Sequence, residues 1–226
     1  MGNTQKSISG ILLFIIFLVI LLCFFSYLIR EIPDFVSINK YPELIILLNN
    51  KQIFSSEINE YSKTYNWTKF DSSQIVNKYS IFHNMKMSDL KKFLNEFSGS
   101  LNIGPPSCKI FWIKLNNIII DGNAFYCPKS IHYLFKINNT INIGIMALEP
   151  GFNGSFNIDY SNIIRVYIPF FIPEGDNGIY IGGKSLQWNY IDNNEGLIIF
   201  DSSLSHNIWN YSETTVYILL IDIANK

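Results

Sequence analysis

Gly196-Leu197-Ile198-Ile199-Phe200-Asp201-Ser202-Ser203-Leu204-Ser205-His206-Asn207-Ile208-Trp209-Asn210 is the stretch whose reading decides the fold. An apolar strand runs into a short polar loop, which presents His206 and closes on Trp-Asn. That layout suits a metal-ligand histidine on the rim of a β-barrel. One imidazole cannot hold a reactive metal ion alone, so the remaining ligands become the question.

Outward from this stretch, the C-terminal half has the composition of strands. Lys109 to Leu115 is β-branched and aromatic, Ile118 to Ile120 answers it, and Asp121-Gly122 reads as a turn. Further strands are expected over Ile141–Ala147, Ile163–Phe171, Gly178–Ile181, Leu197–Phe200 and Val216–Ile223. Gly and Asn punctuate them at short intervals, which favours a closed or sandwiched antiparallel sheet over βαβ units. Trp188, Phe200 and Trp209 read as core aromatics.

The part before Gly104-Pro105-Pro106 is helical in period. Tyr41 to Leu48 predicts a short helix opened by Pro42, and Ile53 to Tyr65 a second. Leu90, Phe93, Leu94 and Phe97 follow the i, i+3, i+4, i+7 spacing of a third. Between Lys6 and Arg30 there is no charged residue, and Ile11 to Leu28 is almost wholly Ile, Leu, Phe and Val. A bilayer core takes roughly 20 apolar helical residues, so residues 8–29 are expected to form a single transmembrane anchor. The organisation expected is residues 1–30 as tail and anchor, 31–106 as a helical part, and 107–226 as the β-domain.

The formal net charge of -1 gives no electrostatic case for nucleic acid. Cys108 and Cys127 could pair in an oxidising compartment, closing a loop of about 20 residues worth roughly 3 kcal/mol, or stand as two buried thiols. Sequons at Asn66, Asn138, Asn153 and Asn210 offer glycosylation sites. They lean towards a C-terminal domain that is lumenal, extracellular or on a virion surface. Heavy use of Asn, Ile, Tyr and Lys suggests an A+T-rich genome, such as that of a large DNA virus.

Several elements also fall in a fixed order: Cys127-Pro128-Lys129-Ser130, Leu148-Glu149-Pro150-Gly151, Arg165-Val166-Tyr167-Ile168-Pro169, Ile172-Pro173-Glu174-Gly175, Trp188, then Phe200-Asp201 with His206 and Trp209-Asn210, and last Ile221-Asp222-Ile223. Together they resemble the aspartyl/asparaginyl β-hydroxylase family over Ser107 to Ile223, and more loosely from Tyr41 onward. The resemblance implies a mainly β fold: a double-stranded β-helix, or jelly-roll, cupin-like barrel, with N-terminal helices. It also implies iron(II)- and 2-oxoglutarate-dependent oxygenase chemistry, often in proteins with one membrane anchor and a lumenal domain.

Residue by residue the implied site is incomplete. His206 matches the second of the family's two iron-binding histidines. The first belongs between Phe152 and Ile164, where there is no histidine and Phe156 or a neighbour takes the place. The arginine expected ten residues after His206 is Val216, the serine expected five before Gly151 is Met146, and the histidine expected two after Arg165 is Tyr167. Arg165 alone keeps its identity among the expected 2-oxoglutarate contacts. His83, His132 and Asp159 are weak substitutes as ligands. His206 then reads as a neutral, hydrogen-bonded histidine positioning Asp201 and Trp209, and Arg165 as a structural cation paired with a carboxylate or carbonyls.

The expectation is therefore a degenerate family member that holds no cofactor and serves as a structural or protein-interaction module, with a protein partner at the membrane. Two alternatives stay open. One is an active hydroxylase using iron(II) and 2-oxoglutarate with an atypical ligand set. The other is a barrel pocket re-used for a lipid or small ligand.

Overall fold

A computed structural model describes residues 16–19, 35–64, 101–102, 108–154, 162–194 and 196–225. The chain divides into two units, Met1–Asp34 and Phe35–Lys226. In the first, residues 16–19 form a helical turn with exposed side chains. Among the described residues no helix is long and apolar enough to cross a membrane, and most of the expected span 8–29 lies outside them.

The second unit begins with helices α1 (Leu44–Asn49) and α2 (Lys51–Thr64). Then come β1 (Leu101–Asn102), β2 (Cys108–Leu115), β3 (Ile118–Ile119) and the short helices α3 (Asp121–Ala124) and α4 (Pro128–Leu134). β4 (Thr140–Leu148), β5 (Phe152–Asn153), β6 (Ile163–Phe171), β7 (Asn177–Ile181) and β8 (Lys184–Gln187) lead to helix α5 (Trp188–Asn194). β9 (Ile198–Asp201), β10 (His206–Asn210) and β11 (Val216–Ala224) end the described chain.

All pairings are antiparallel. The larger sheet runs β1-β2-β4-β11-β6-β9, with β3 also on β2, and the smaller runs β5-β10-β7-β8. From β4 onward the strands alternate between sheets except for the β7–β8 hairpin, giving 4-11-6-9 over 5-10-7-8, which is the winding of a double-stranded β-helix.

The larger sheet is buried on both faces. Val216, Ile218 and Leu220 of β11 enter the barrel with Ile110, Met146, Tyr167, Ile179, Trp188 and Phe200. The alternate residues Leu219, Ile221 and Ile223 meet the helices through Leu44, Leu47, Phe54, Ile58 and Leu134. This two-sided burial is why β11 reads as an unbroken apolar run rather than a polar–apolar alternation. Glu57 ties α2 to α4: its carboxylate accepts the Lys129 and Ser130 N–H groups at 2.8 and 2.9 Å. It thus satisfies the otherwise orphan donors of the α4 first turn.

The long strands and first two helices stand close to where the sequence puts them, whereas two local readings, Asp121-Gly122 and Trp209, are corrected and the open choice for Cys108 and Cys127 is resolved. Asp121-Gly122 begins helix α3 rather than a simple turn, because the Asn123 and Ala124 N–H groups both return to the Ile120 carbonyl. The β2–β3 turn falls instead at Asn116-Asn117, both at positive φ (49° and 65°), as a tight hairpin requires. Trp209 lies outside the core: its ring packs where a Cβ on Gly178 would sit, 2.7 Å from Cζ2, and its indole donates to Asp176. Cys108 and Cys127 are free, buried and on opposite faces of the larger sheet, one in each apolar cluster, so no disulfide forms. The third expected helix lies outside the described residues.

Candidate functional site

A single row of paired residues crosses the larger sheet: Asn142 on β4, Asp222 on β11, Arg165 on β6 and Phe200 on β9. Even spacing from Met146, Tyr167 and Leu220 puts the first three side chains on the barrel-facing side. His206 opens β10 in the smaller sheet, opposite Ile181, and faces inward with Ile208. The two sheets thereby bring residues far apart in sequence to one end of the interior.

Arg165 grips Asp222 through two bonds, Nε to Oδ1 at 2.8 Å and Nη2 to Oδ2 at 3.1 Å. This is the fork geometry in which a guanidinium meets a carboxylate best. Asn142 Nδ2 adds a third donor to Asp222 Oδ2 at 2.8 Å. Asp222 is 1% exposed, so its charge depends on these partners.

The remaining Arg165 arm, Nη1, lies 3.2 Å from His206 Nε2. A guanidinium has no acceptor, so the histidine accepts here and carries its proton on Nδ1. That proton goes to the Leu204 carbonyl at 2.8 Å. His206 is thus held as a neutral tautomer. Phe200 packs edge-on against its ring at 5.2 Å between centroids.

Of the residues singled out from sequence, Arg165 and His206 come together, and Arg165 has the carboxylate partner expected of it. Asp201 and Trp209 are elsewhere. Asp201 accepts the Ser203 N–H at 2.9 Å, and Trp209 donates to Asp176 at 2.8 Å. Sequence reasoning quoted Asp222 only within Ile221-Asp222-Ile223, without a role, and did not single out Asn142; Asp222 is the one acid inside the β11 apolar run, and that isolation was the available signal. His132 is exposed on α4 beside Lys136. His83, Asp159, Phe156 and Asn66 lie outside the described residues. Among the described residues no cluster of three or more His, Cys, Asp or Glu could hold a metal ion.

The sequons separate cleanly. Asn138 and Asn153 are exposed. Asn210 is fully buried, donating Nδ2 to the Leu148 and Thr214 carbonyls at 2.7 and 2.9 Å. With its amide so committed, Asn210 cannot carry a glycan in this fold. Burial, aided by Glu149 for Cys108 and Glu57 for Cys127, pushes both thiols up to about 12. A groove of about 420 Å³ beside Ile58, Phe170, Phe171 and Tyr217 lies on the outer, helix-covered face, away from His206.

The family model for aspartyl/asparaginyl β-hydroxylase matches residues 43–226, most of the chain and all of the barrel. The chain belongs to that family. Solved structures similar to this family member include a 2OG-Fe(II) oxygenase family oxidoreductase from Burkholderia pseudomallei, with 8% identity and a TM-score of 0.40. That match covers 60% of this chain and 76% of that one. A predicted oxalate decarboxylase from Thermotoga maritima is 16% identical at a TM-score of 0.34, covering 52% and 80% respectively. Ectoine synthase from P. lautus is 11% identical at 0.32, covering 55% and 70%. No curated protein sequence matches. Within the hydroxylase-family barrel, Met146, Tyr167 and Val216 all belong to the interior apolar cluster.

Proposed function

We propose that this hydroxylase-family chain has exchanged oxygenase turnover for a structural or protein-interaction role, presenting its barrel from a membrane anchor at residues 8–29. The observation that carries this reading is the contact between Arg165 Nη1 and His206 Nε2 at 3.2 Å. Nε2 is the lone pair with which His206 would bind iron, and a guanidinium already occupies it. The two forks of the same arginine on Asp222 engage the group that would otherwise receive a 2-oxoglutarate carboxylate.

Iron(II) and 2-oxoglutarate, which the family implies, do not fit these residues. Iron(II) binds weakly among the divalent metals and needs several protein donors converging on it. A dicarboxylate entering the interior would meet Met146, Tyr167 and Val216, and a buried charge without a partner is costly. A partner protein at the membrane, with the C-terminal domain lumenal, extracellular or on a virion surface, completes the proposal. The exposed sequons at Asn138 and Asn153 are compatible with that placement.

Anaerobic titration of the full-length protein with iron(II), with and without 2-oxoglutarate, tests the reading by calorimetry. No saturable binding is expected in the anaerobic titration, and no succinate release once oxygen is admitted. One-to-one iron binding that His206→Ala abolishes would overturn it in favour of an active hydroxylase.

A further inference from the structure

We propose that the barrel interior binds a small neutral molecule: an apolar body carrying a carbonyl or ether oxygen. This stands on the interior alone and does not depend on whether the chain turns over 2-oxoglutarate.

Two indole donors carry the argument. Trp112 and Trp188 are 6% and 0% exposed and belong to the same interior cluster. The Nε1–H of each is buried with no acceptor in hydrogen-bonding reach among the described residues. Buried indole N–H groups ordinarily find a partner, and an indole can only donate. Two indole donors in one apolar cluster therefore ask for an acceptor that the described residues do not supply.

Both tryptophans belong to one apolar cluster inside the barrel. Trp112 pairs across the sheet with Gly144, Gly144 with Leu220, and Leu220 with Tyr167. The Trp112 ring lies over Gly144, where an added Cβ would stand 2.7 Å from Cε3. The missing side chain at 144 lets the indole lean over the sheet towards β11. Trp188 meets Tyr167 edge-on from the other side, 6.0 Å between ring centroids. The two tryptophans thus flank a single row of inward-facing residues, one row inside the Arg165–Asp222 pair.

Charge selects the chemical class. The inward-facing cation Arg165 is matched fork to fork by Asp222, so the interior presents no uncompensated positive charge from that pair. The apolar side chains of Ile110, Met146, Ile179, Ile218 and Leu220 in the same cluster disfavour an ion but suit a hydrocarbon body. A few fixed polar groups in an apolar lining is the usual make-up of a small-molecule site.

The test uses the full chain in lipid nanodiscs with 15N-labelled indoles, which gives four signals, from Trp67, Trp112, Trp188 and Trp209. The probe is 2-nonanone, with n-nonane as a probe of similar body lacking the oxygen and 2-oxoglutarate as the charged comparison. The signals that vanish in Trp112→Phe and Trp188→Phe should move downfield together and saturably with the ketone. Each substitution should weaken ketone binding about fivefold, the worth of one net hydrogen bond. The proposal falls if nothing saturates, if only Trp67 or Trp209 responds, or if nonane shifts the signals as strongly. It also falls if 2-oxoglutarate binds more tightly, or if both indoles show contacts to bound water that the ketone does not displace. Should a variant fail to fold, ketone against nonane on the unsubstituted protein still decides.

Discussion

Arg165 and Asp222 face each other as a register pair on β6 and β11, and their side chains close a two-pronged ion pair inside the barrel. Such a pair stabilises little relative to a well-packed apolar one, but breaking it from one side leaves an uncompensated charge. Arg165→Met should therefore lower stability by about 3–5 kcal/mol. Arg165→Met combined with Asp222→Leu should recover most of that loss. Urea unfolding of the two variants measures both, and equal instability would show that the ion pair is not what the row depends on.

Glu57 and the α4 N–H groups make a second, longer-range prediction. Glu57 is 7% exposed and accepts the Lys129 and Ser130 N–H groups from across 72 and 73 residues of chain. Glu57→Ala strands those donors and should cost about 1–3 kcal/mol. Hydrogen exchange at Lys129 and Ser130 should accelerate before exchange in β11 does. Unchanged protection of both amides would refute the capping role.

The two buried thiols predict a pH dependence. In an unfolded chain a cysteine titrates near 8.5–9. Burial, then Glu149 or Glu57, raises Cys108 and Cys127 to about 12 in the fold. A raised folded value means this contribution is fully present below the unfolded value and lost as pH climbs towards 12. By pH 10.5 each thiol should have cost on the order of 2 kcal/mol. Comparing unfolding midpoints at pH 8 and 10.5 for the protein and its Cys108→Ala/Cys127→Ala variant isolates the effect. In a Cys23→Ser background, a thiol reagent at pH 8 should label neither cysteine until the chain unfolds.

Asn210 predicts a glycan pattern. Expressed through a secretory pathway, folded protein should carry no sugar at Asn210, whatever the occupancy of Asn138 and Asn153. Attachment there would replace one of the two Nδ2 hydrogens that hold the Leu148 and Thr214 carbonyls and force a sugar into a buried site. Glycopeptide mass spectrometry of the folded fraction checks this, and occupied Asn210 in that fraction would contradict it.

Much of the architecture was legible because burial leaves a periodic trace. Ile163–Phe171 and Val216–Ala224 are long β-branched runs whose ends the structure moves by at most one residue. His206–Asn210 and Lys184–Gln187 were not recognised as strands. Both lie in the smaller sheet, one Asn-rich and the other half exposed, so neither has an apolar run. Trp188 was correctly read as core, but its role opening helix α5 was not anticipated. The site was half legible: His206, Arg165 and the Ile221-Asp222-Ile223 segment carried the family resemblance, whereas Asn142 carried none and no role was read for Asp222.

By itself the sequence determined the family and the long apolar strands of the larger sheet, because side-chain period and composition are local properties. Only the tertiary structure decided which inward-facing groups meet. It set Asp222 against Arg165 and Arg165 against His206, committed Asn210 to two carbonyls, and put the two cysteines on opposite faces of one sheet. Those outcomes depend on the order and register of strands far apart in the chain. Pairing register is fixed by the collective burial of whole faces, not by any residue's neighbours in sequence.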